Sequence, residues 1–193
     1  MNRDYLLPRI VRIVGVMLSL GFCLVVISAC SSTNLIMPIP ERLVLLPPSG
    51  APSAVLLKQK VTFDKAGRQQ QFLLVSRINS QQIDLVILLA TGQKVLSVSY
   101  DGVSFSQQQH LSANIPGEEI LALLQFSLWH EFIIGQHYRQ EDGWILTFEE
   151  GRRSLLTRVG VWVTVEHRTG SIIVENYSQN YRVVIELIDS LDL

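Results

Sequence analysis

From residue 55 onward the chain is written in short apolar runs. Residues rich in Leu, Val and Ile recur at 56–63, 71–78, 83–90, 94–100, 103–106, 144–148, 155–158, 161–167, 172–177 and 181–188, which is the length and composition of strands. Asp101-Gly102, Thr91-Gly92, Asp142-Gly143 and Thr169-Gly170 fall between runs and supply turn chemistry. Gaps this short predict antiparallel neighbours. Val161, Val163 and Val165 alternate with Trp162, Thr164 and Glu166, and Tyr181, Val183, Ile185 and Leu187 with Arg182, Val184 and Glu186, so these strands are expected to have one wet face. Leu85-Val86-Ile87-Leu88-Leu89 is apolar at every position and is expected to be covered on both sides.

One segment breaks the period of two. Ile115-Pro116-Gly117-Glu118-Glu119-Ile120 is followed by Leu121, Leu123, Leu124, Phe126, Leu128 and Trp129. A proline near the first turn and two glutamates at the positive end of the helix dipole mark a helix start, and Ile120, Leu123, Leu124 and Leu128 keep helical spacing. Leu121 and Trp129 widen that apolar stripe until most of the helix should be buried. The expected fold is therefore mainly β with helical cover: one strongly curved antiparallel sheet, an incomplete barrel, plugged from its concave side by a mid-chain helix. Leu85, Ile87 and Leu89 on a strand and Leu121, Leu124 and Phe126 on the helix are the wall residues expected of a hydrophobic cavity there. A packed core would show the same pattern of leucines.

The N-terminal pattern is different. Arg3, Arg9 and Arg12 precede an apolar stretch from Ile13 to Ala29, with small residues just before Cys30. A basic region, an apolar region and small residues at the end compose a secretory signal. Its length sits at the short limit for crossing a hydrocarbon core about 30 Å thick, so length alone leaves an uncleaved anchor open. Ile27-Ser28-Ala29-Cys30 resembles the bacterial lipobox, whose cysteine thiol takes a diacylglycerol and becomes the first residue of the mature chain. The resemblance implies a signal peptide over residues 1–29 and a covalent lipid on Cys30. Several acyl chains, each contributing about 0.8 kcal/mol per buried methylene, anchor firmly. The other cysteine, Cys23, lies within the segment removed, which leaves no pair for a disulfide. By resemblance to enterobacterial lipoproteins, Ser31, where inner-membrane retention would want Asp, implies the inner leaflet of the outer membrane, facing the periplasm.

Composition narrows the classes. Residues 1–29 hold three of the 16 basic and one of the 17 acidic side chains, leaving 13 against 16; no basic stripe points to nucleic acid. Pro38, Pro40, Pro47, Pro48 and Pro52 are five of the seven prolines. They make 30–54 either a stiff, extended tether or, because Leu43 to Leu46 is apolar, a segment lying on the domain formed by 55–193. Catalytic spacings fail. His130-Glu131 opens like a zinc-protease helix, but Ile134 stands where the second histidine belongs, and His110, His137 and His167 are scattered, as surface or loop residues are. There is no GxSxG elbow and no glycine-rich phosphate loop. Glu149-Glu150 points to both faces of a strand and runs into Arg152 and Arg153, as a solvated hairpin end does. Trp129, Trp144 and Trp162 are expected as packing, Gln69–Gln71 and Gln107–Gln109 as polar strand ends, and Arg77 as an outward-facing residue. No enzyme, metal site or bound cofactor is expected.

The order of parts resembles the periplasmic lipoprotein carriers LolA and LolB, on the strength of the lipobox, the strand succession, the helix introduced by Ile115-Pro116 and the closing hairpin from Ile172 to Ile188. It also resembles an uncharacterised family of short bacterial lipoproteins encoded beside aryl-polyene and fatty-acid-synthase-like genes. These resemblances imply an incomplete barrel that shelters a hydrophobic ligand, such as an acyl chain, a lipid, a lipoprotein or a polyene, for lipid binding or transport. A LolA-like periplasmic carrier is the partner they imply. Where LolB carries a protruding apolar loop, this chain has Asn79-Ser80-Gln81-Gln82, which argues against membrane delivery of a lipoprotein. The alternative reading is a structural lipoprotein with a packed core, recruiting a periplasmic protein through an open sheet edge.

Overall fold

The computed structural model describes residues 38–111 and 115–193, all within one compact unit. Ten strands form one antiparallel sheet: β1 (Val55–Lys65), β2 (Arg68–Ile78), β3 (Ile83–Leu89), β4 (Lys94–Tyr100), β5 (Phe105–Gln109), β6 (Ile145–Glu149), β7 (Arg152–Thr157), β8 (Gly160–Arg168), β9 (Ser171–Asn176) and β10 (Tyr181–Asp192). Their order across the sheet is β5-β4-β3-β2-β1-β10-β9-β8-β7-β6. This is two five-strand meanders sewn together by β1 and β10, which pair from Val55↔Asp192 to Asp64↔Arg182. The sheet does not close: β5 and β6 are its two edges. Gln107–Gln109 lie in edge strand β5, whereas Gln69–Gln71 occupy the hairpin end of the inner strand β2.

Curvature comes from three register slips. Ile188 on β10, Val95 on β4 and Trp162 on β8 are each left without a partner where the ladder skips a residue, and such bulges bend a strand and add twist. They also correct the simple alternation read from the sequence. Val161 is 41% exposed while Val163 and Val165 are fully buried and Trp162 packs against the core, because the bulge at Trp162 flips the face of everything before it. Leu187 leaves the pattern for a different reason. The β9–β10 ladder stops at the pair Ser171↔Glu186, so β10 runs on without a neighbour on that side and Leu187, Ile188 and Leu191 stay exposed.

Between β5 and β6 the chain forms α1 (Gly117–Leu128) and a second helix, α2 (Glu131–His137), which the sequence pattern did not reveal. His130 caps α2, its Nδ1 accepting from Phe132 N at 3.2 Å. α1 lies across the concave face, with Leu121, Ala122, Leu124 and Phe126 buried. It approaches the sheet so closely at Gly117 that a Cβ there would come within 2.8 Å of a Val98 methyl carbon. Among the described residues the helices cover only the concave side: Ile83, Leu85 and Ile87 are buried, but Val86 and Leu88 on the outer face of β3 are half-buried, so the two-sided cover expected of this strand is not found and its outer face is shielded by neighbouring side chains alone.

Residues 43–51 lie on the domain rather than spacing it from a membrane. Leu43, Leu46 and Pro48 are buried. The side-chain amide of Gln125 on α1 imitates a strand partner: its Oε1 accepts from Leu46 N at 2.8 Å and its Nε2 donates to Leu46 O at 2.5 Å. The Tyr138 hydroxyl does the same for Val44, accepting from its N–H at 3.1 Å and donating to its carbonyl at 2.9 Å. A segment rich in proline has few ladder donors to offer, and these two side chains satisfy backbone groups that burial would otherwise leave unpaired.

Candidate functional site

The interior is filled at one end and hollow at the other. At the filled end Phe126, Tyr138, Trp144 and Trp162 form a chain of edge-on aromatic contacts with centroid separations of 5.7, 5.4 and 5.3 Å, within the range favoured by the ring quadrupoles. Trp129, Leu46, Leu85, Leu121 and Leu155 are fully buried around them. At the other end a cavity of about 890 Å³ opens between the sheet and α1, a size typical of small-molecule sites. Its walls are Val61 and Phe63 of β1, Phe72 and Leu74 of β2, Ile87 and Leu89 of β3, Val95 of β4, Val174 of β9, and Val183 and Ile185 of β10, with Ile120, Leu123 and Leu124 from α1. Leu111, Ile115 and Pro116 complete the apolar lining. Val61, Phe63, Phe72, Leu89 and Val183 are only half-buried although they belong to the concave face: the space in front of them is empty.

Two anchorages hold α1 over this hollow. At its start Gly117 N donates to Gln107 Oε1 at 3.2 Å, and the Glu119 carboxylate accepts from Tyr181 Oη at 2.6 Å, Asn176 Nδ2 at 2.9 Å and Gln179 Nε2 at 2.6 Å. Burial, then the adjoining Glu119 carboxylate, pushes the Tyr181 hydroxyl far above its ordinary range, so it stays a donor. At the other end Arg153 Nη1 donates to the carbonyls of Phe126, Ser127 and Trp129 at 2.9, 3.1 and 2.8 Å. His167 Nε2 meets the Ser127 carbonyl at 2.9 Å. A cation on the last carbonyls satisfies orphan acceptors and the negative end of the dipole together. His167, expected as a surface or loop residue, is thus a half-buried strand residue that fastens the helix.

The mouth of the cavity is polar. Lys65, Gln70 and Gln71 come from the β1–β2 hairpin and Gln179 and Tyr181 from the β9–β10 connection. Of the wall residues expected from the sequence, Ile87, Leu89 and Leu124 line the hollow. Leu85, Leu121 and Phe126 are buried in the filled part of the core. Cys30, the expected lipidation site, lies outside the described residues, as do the signal segment and the first part of the expected tether. Sequence reasoning overlooked β1 and β10 as walls. The signal was present in Leu57, Gln59, Val61 and Phe63 alternating with Lys58, Lys60, Thr62 and Asp64, which sorts the apolar members to one face.

Fold and site define a class: an unclosed, strongly curved antiparallel half-barrel covered by two helices, with an apolar receptacle open at one end. The family described as "Protein of unknown function (DUF3261)" matches residues 56–189, and the chain belongs to it. No curated protein matches. Among solved structures the chain is similar to the crystal structure of a candidate outer membrane lipoprotein-sorting protein domain from Vibrio parahaemolyticus, at 7% identity and a TM-score of 0.40, over 72% of this chain and 84% of that one. Among the described residues no helix is long and apolar enough to cross a membrane.

Proposed function

We propose that this protein is a non-enzymatic receptacle for a hydrophobic chain, an acyl or polyene tail, taken into the cavity between the sheet and α1. The supporting observation is the half-burial of inward-facing apolar side chains around an 890 Å³ hollow, beside an equally apolar region of the same interior that is packed shut. Apolar walls of this kind discriminate chain length weakly, because one methylene is worth only about 1–3 kcal/mol; binding there favours a class of ligand over a single compound. In this reading residues 1–29 are removed, acyl chains on Cys30 hold the protein to the inner leaflet of the outer membrane, and the domain faces the periplasm. It holds its ligand there or exchanges it with a soluble LolA-like carrier. A scaffold recruiting a partner by its open sheet edges would have no use for the hollow.

Val61→Trp tests the reading by adding an indole where the wall is half-exposed. The expected result is a thermal midpoint equal to or above that of the wild type, with affinity for a fluorescent fatty-acid probe reduced at least about tenfold, a change of about 1.4 kcal/mol. Unchanged probe affinity in a folded variant would show that the hollow is not where the chain binds.

A further inference from the structure

Among the described residues Lys65 is the one charged side chain on the cavity lining. It makes no ion pair among the described residues. Glu119, an opposing charge on the elements framing the mouth, has both oxygens engaged: Tyr181 and Asn176 donate to one and Gln179 to the other. The remaining charges of the two hairpins are also engaged or turned away. Arg182 pairs with Glu175 at 3.5 Å, and Asp64 accepts from Gly67 N and Gln69 Nε2 within the β1–β2 hairpin. Arg68, opposite Lys65 in the hairpin, is a second exposed cation at that end but does not line the cavity. Glu119 and Asp64 keep their charge, but neutral donors occupy their oxygens, so among the described residues Lys65 is the cation on the lining whose donors are free for an incoming head group. A lysine can lay its stem along apolar surface while holding the ammonium in water.

Resting on the reading of the hollow as a chain-binding site, we propose that the mouth selects amphiphiles with a single anionic head: the chain enters between sheet and helix and its carboxylate or phosphate is met by Lys65. The two head groups share one chemistry, an oxyanion that accepts from an ammonium, and both arise from lipids.

The test is displacement of a neutral fluorescent probe from the whole protein by laurate, dodecyl phosphate and dodecanol, with wild type, Lys65→Met and Lys65→Glu compared. An exposed charge contact is worth at most a few-fold, so Lys65→Met should weaken the anions about three- to fivefold and Lys65→Glu more than that, with dodecanol unaffected and the anion effect shrinking in high salt. Whichever anion binds tighter names the source, fatty acid or phospholipid. Anions and alcohol binding alike in all three proteins would overturn the head-group assignment while leaving the cavity occupied. Failure of all three to displace the probe from wild type would overturn the chain-binding reading and the assignment with it.

Discussion

On the concave face two polar side chains stand where the wall is otherwise apolar. Gln59 Oε1 on β1 and Ser76 Oγ on β2 are buried without a hydrogen-bond partner among the described residues, one step deeper than Val61 and Leu74. A buried hydroxyl with no partner costs about 1–3 kcal/mol, so Ser76→Ala should leave the protein as stable or raise its unfolding free energy by up to that amount, measured by urea denaturation. A clear loss of stability would show that the hydroxyl is satisfied in solution. These two residues also mark what a sequence cannot display. Period two puts Gln59 on the face of Leu57 and Val61, but nothing local shows that the face is closed over at that point; the pairing Gln59↔Leu74 and the burial of both do. The same holds for the expected wall residues. Leu85, Ile87 and Leu89 share a face by period, but which of them meets empty space depends on how far along the barrel α1 reaches, and no local pattern encodes that depth.

Elements explain why one end is full. α1 is fixed at both termini by side chains from the sheet, and its flank is fixed by the extended segment from Leu43 to Ala51, which crosses it through Gln125. That glutamine is fully buried and serves both backbone groups of Leu46, so Gln125→Leu strands a donor and an acceptor together. The expected loss is on the order of 2–6 kcal/mol, about 1–3 for each group, and the segment should peel away, freeing the backbone around the already exposed Arg42 for cleavage by trypsin under native conditions. Stability within about 0.5 kcal/mol of wild type, with no new cleavage at Arg42, would mean that the segment is held by its apolar contacts alone. At this scale the sequence was most legible. All ten strand positions and the start of α1 followed from periodicity and turn residues, because each is a local property. The apolar stretch Leu43–Leu46 signalled attachment, yet its proline-rich surroundings argued equally for a tether; the arbiter, Gln125, lies 79 residues away. Bulges at Val95 and Trp162 escaped for the same reason, since a skipped residue is visible only against the partner strand. α2 escaped because its seven residues are too few to show a helical period.

For the whole molecule, the two meanders build one curved wall and α1 divides what it encloses. The end that holds Trp129, Trp144 and Leu85 is closed by packing, and the end toward the β1–β2 hairpin and the β9–β10 connection is left open to a polar rim. A protein that needed only a rigid body would gain from closing both, since packed interiors are favoured over voids. The retained hollow is therefore the feature that asks for a function, and its chemistry asks for a long apolar ligand. The most direct measurement places a photo-crosslinking amino acid at Leu124, inside the hollow, and separately at Leu88, on the outer face of β3, in the full chain in cells. After irradiation, mass spectrometry should find a lipid or polyene adduct on the position-124 peptide and none on the position-88 peptide. A position-124 peptide free of adduct, or equal labelling at both places, would contradict the account.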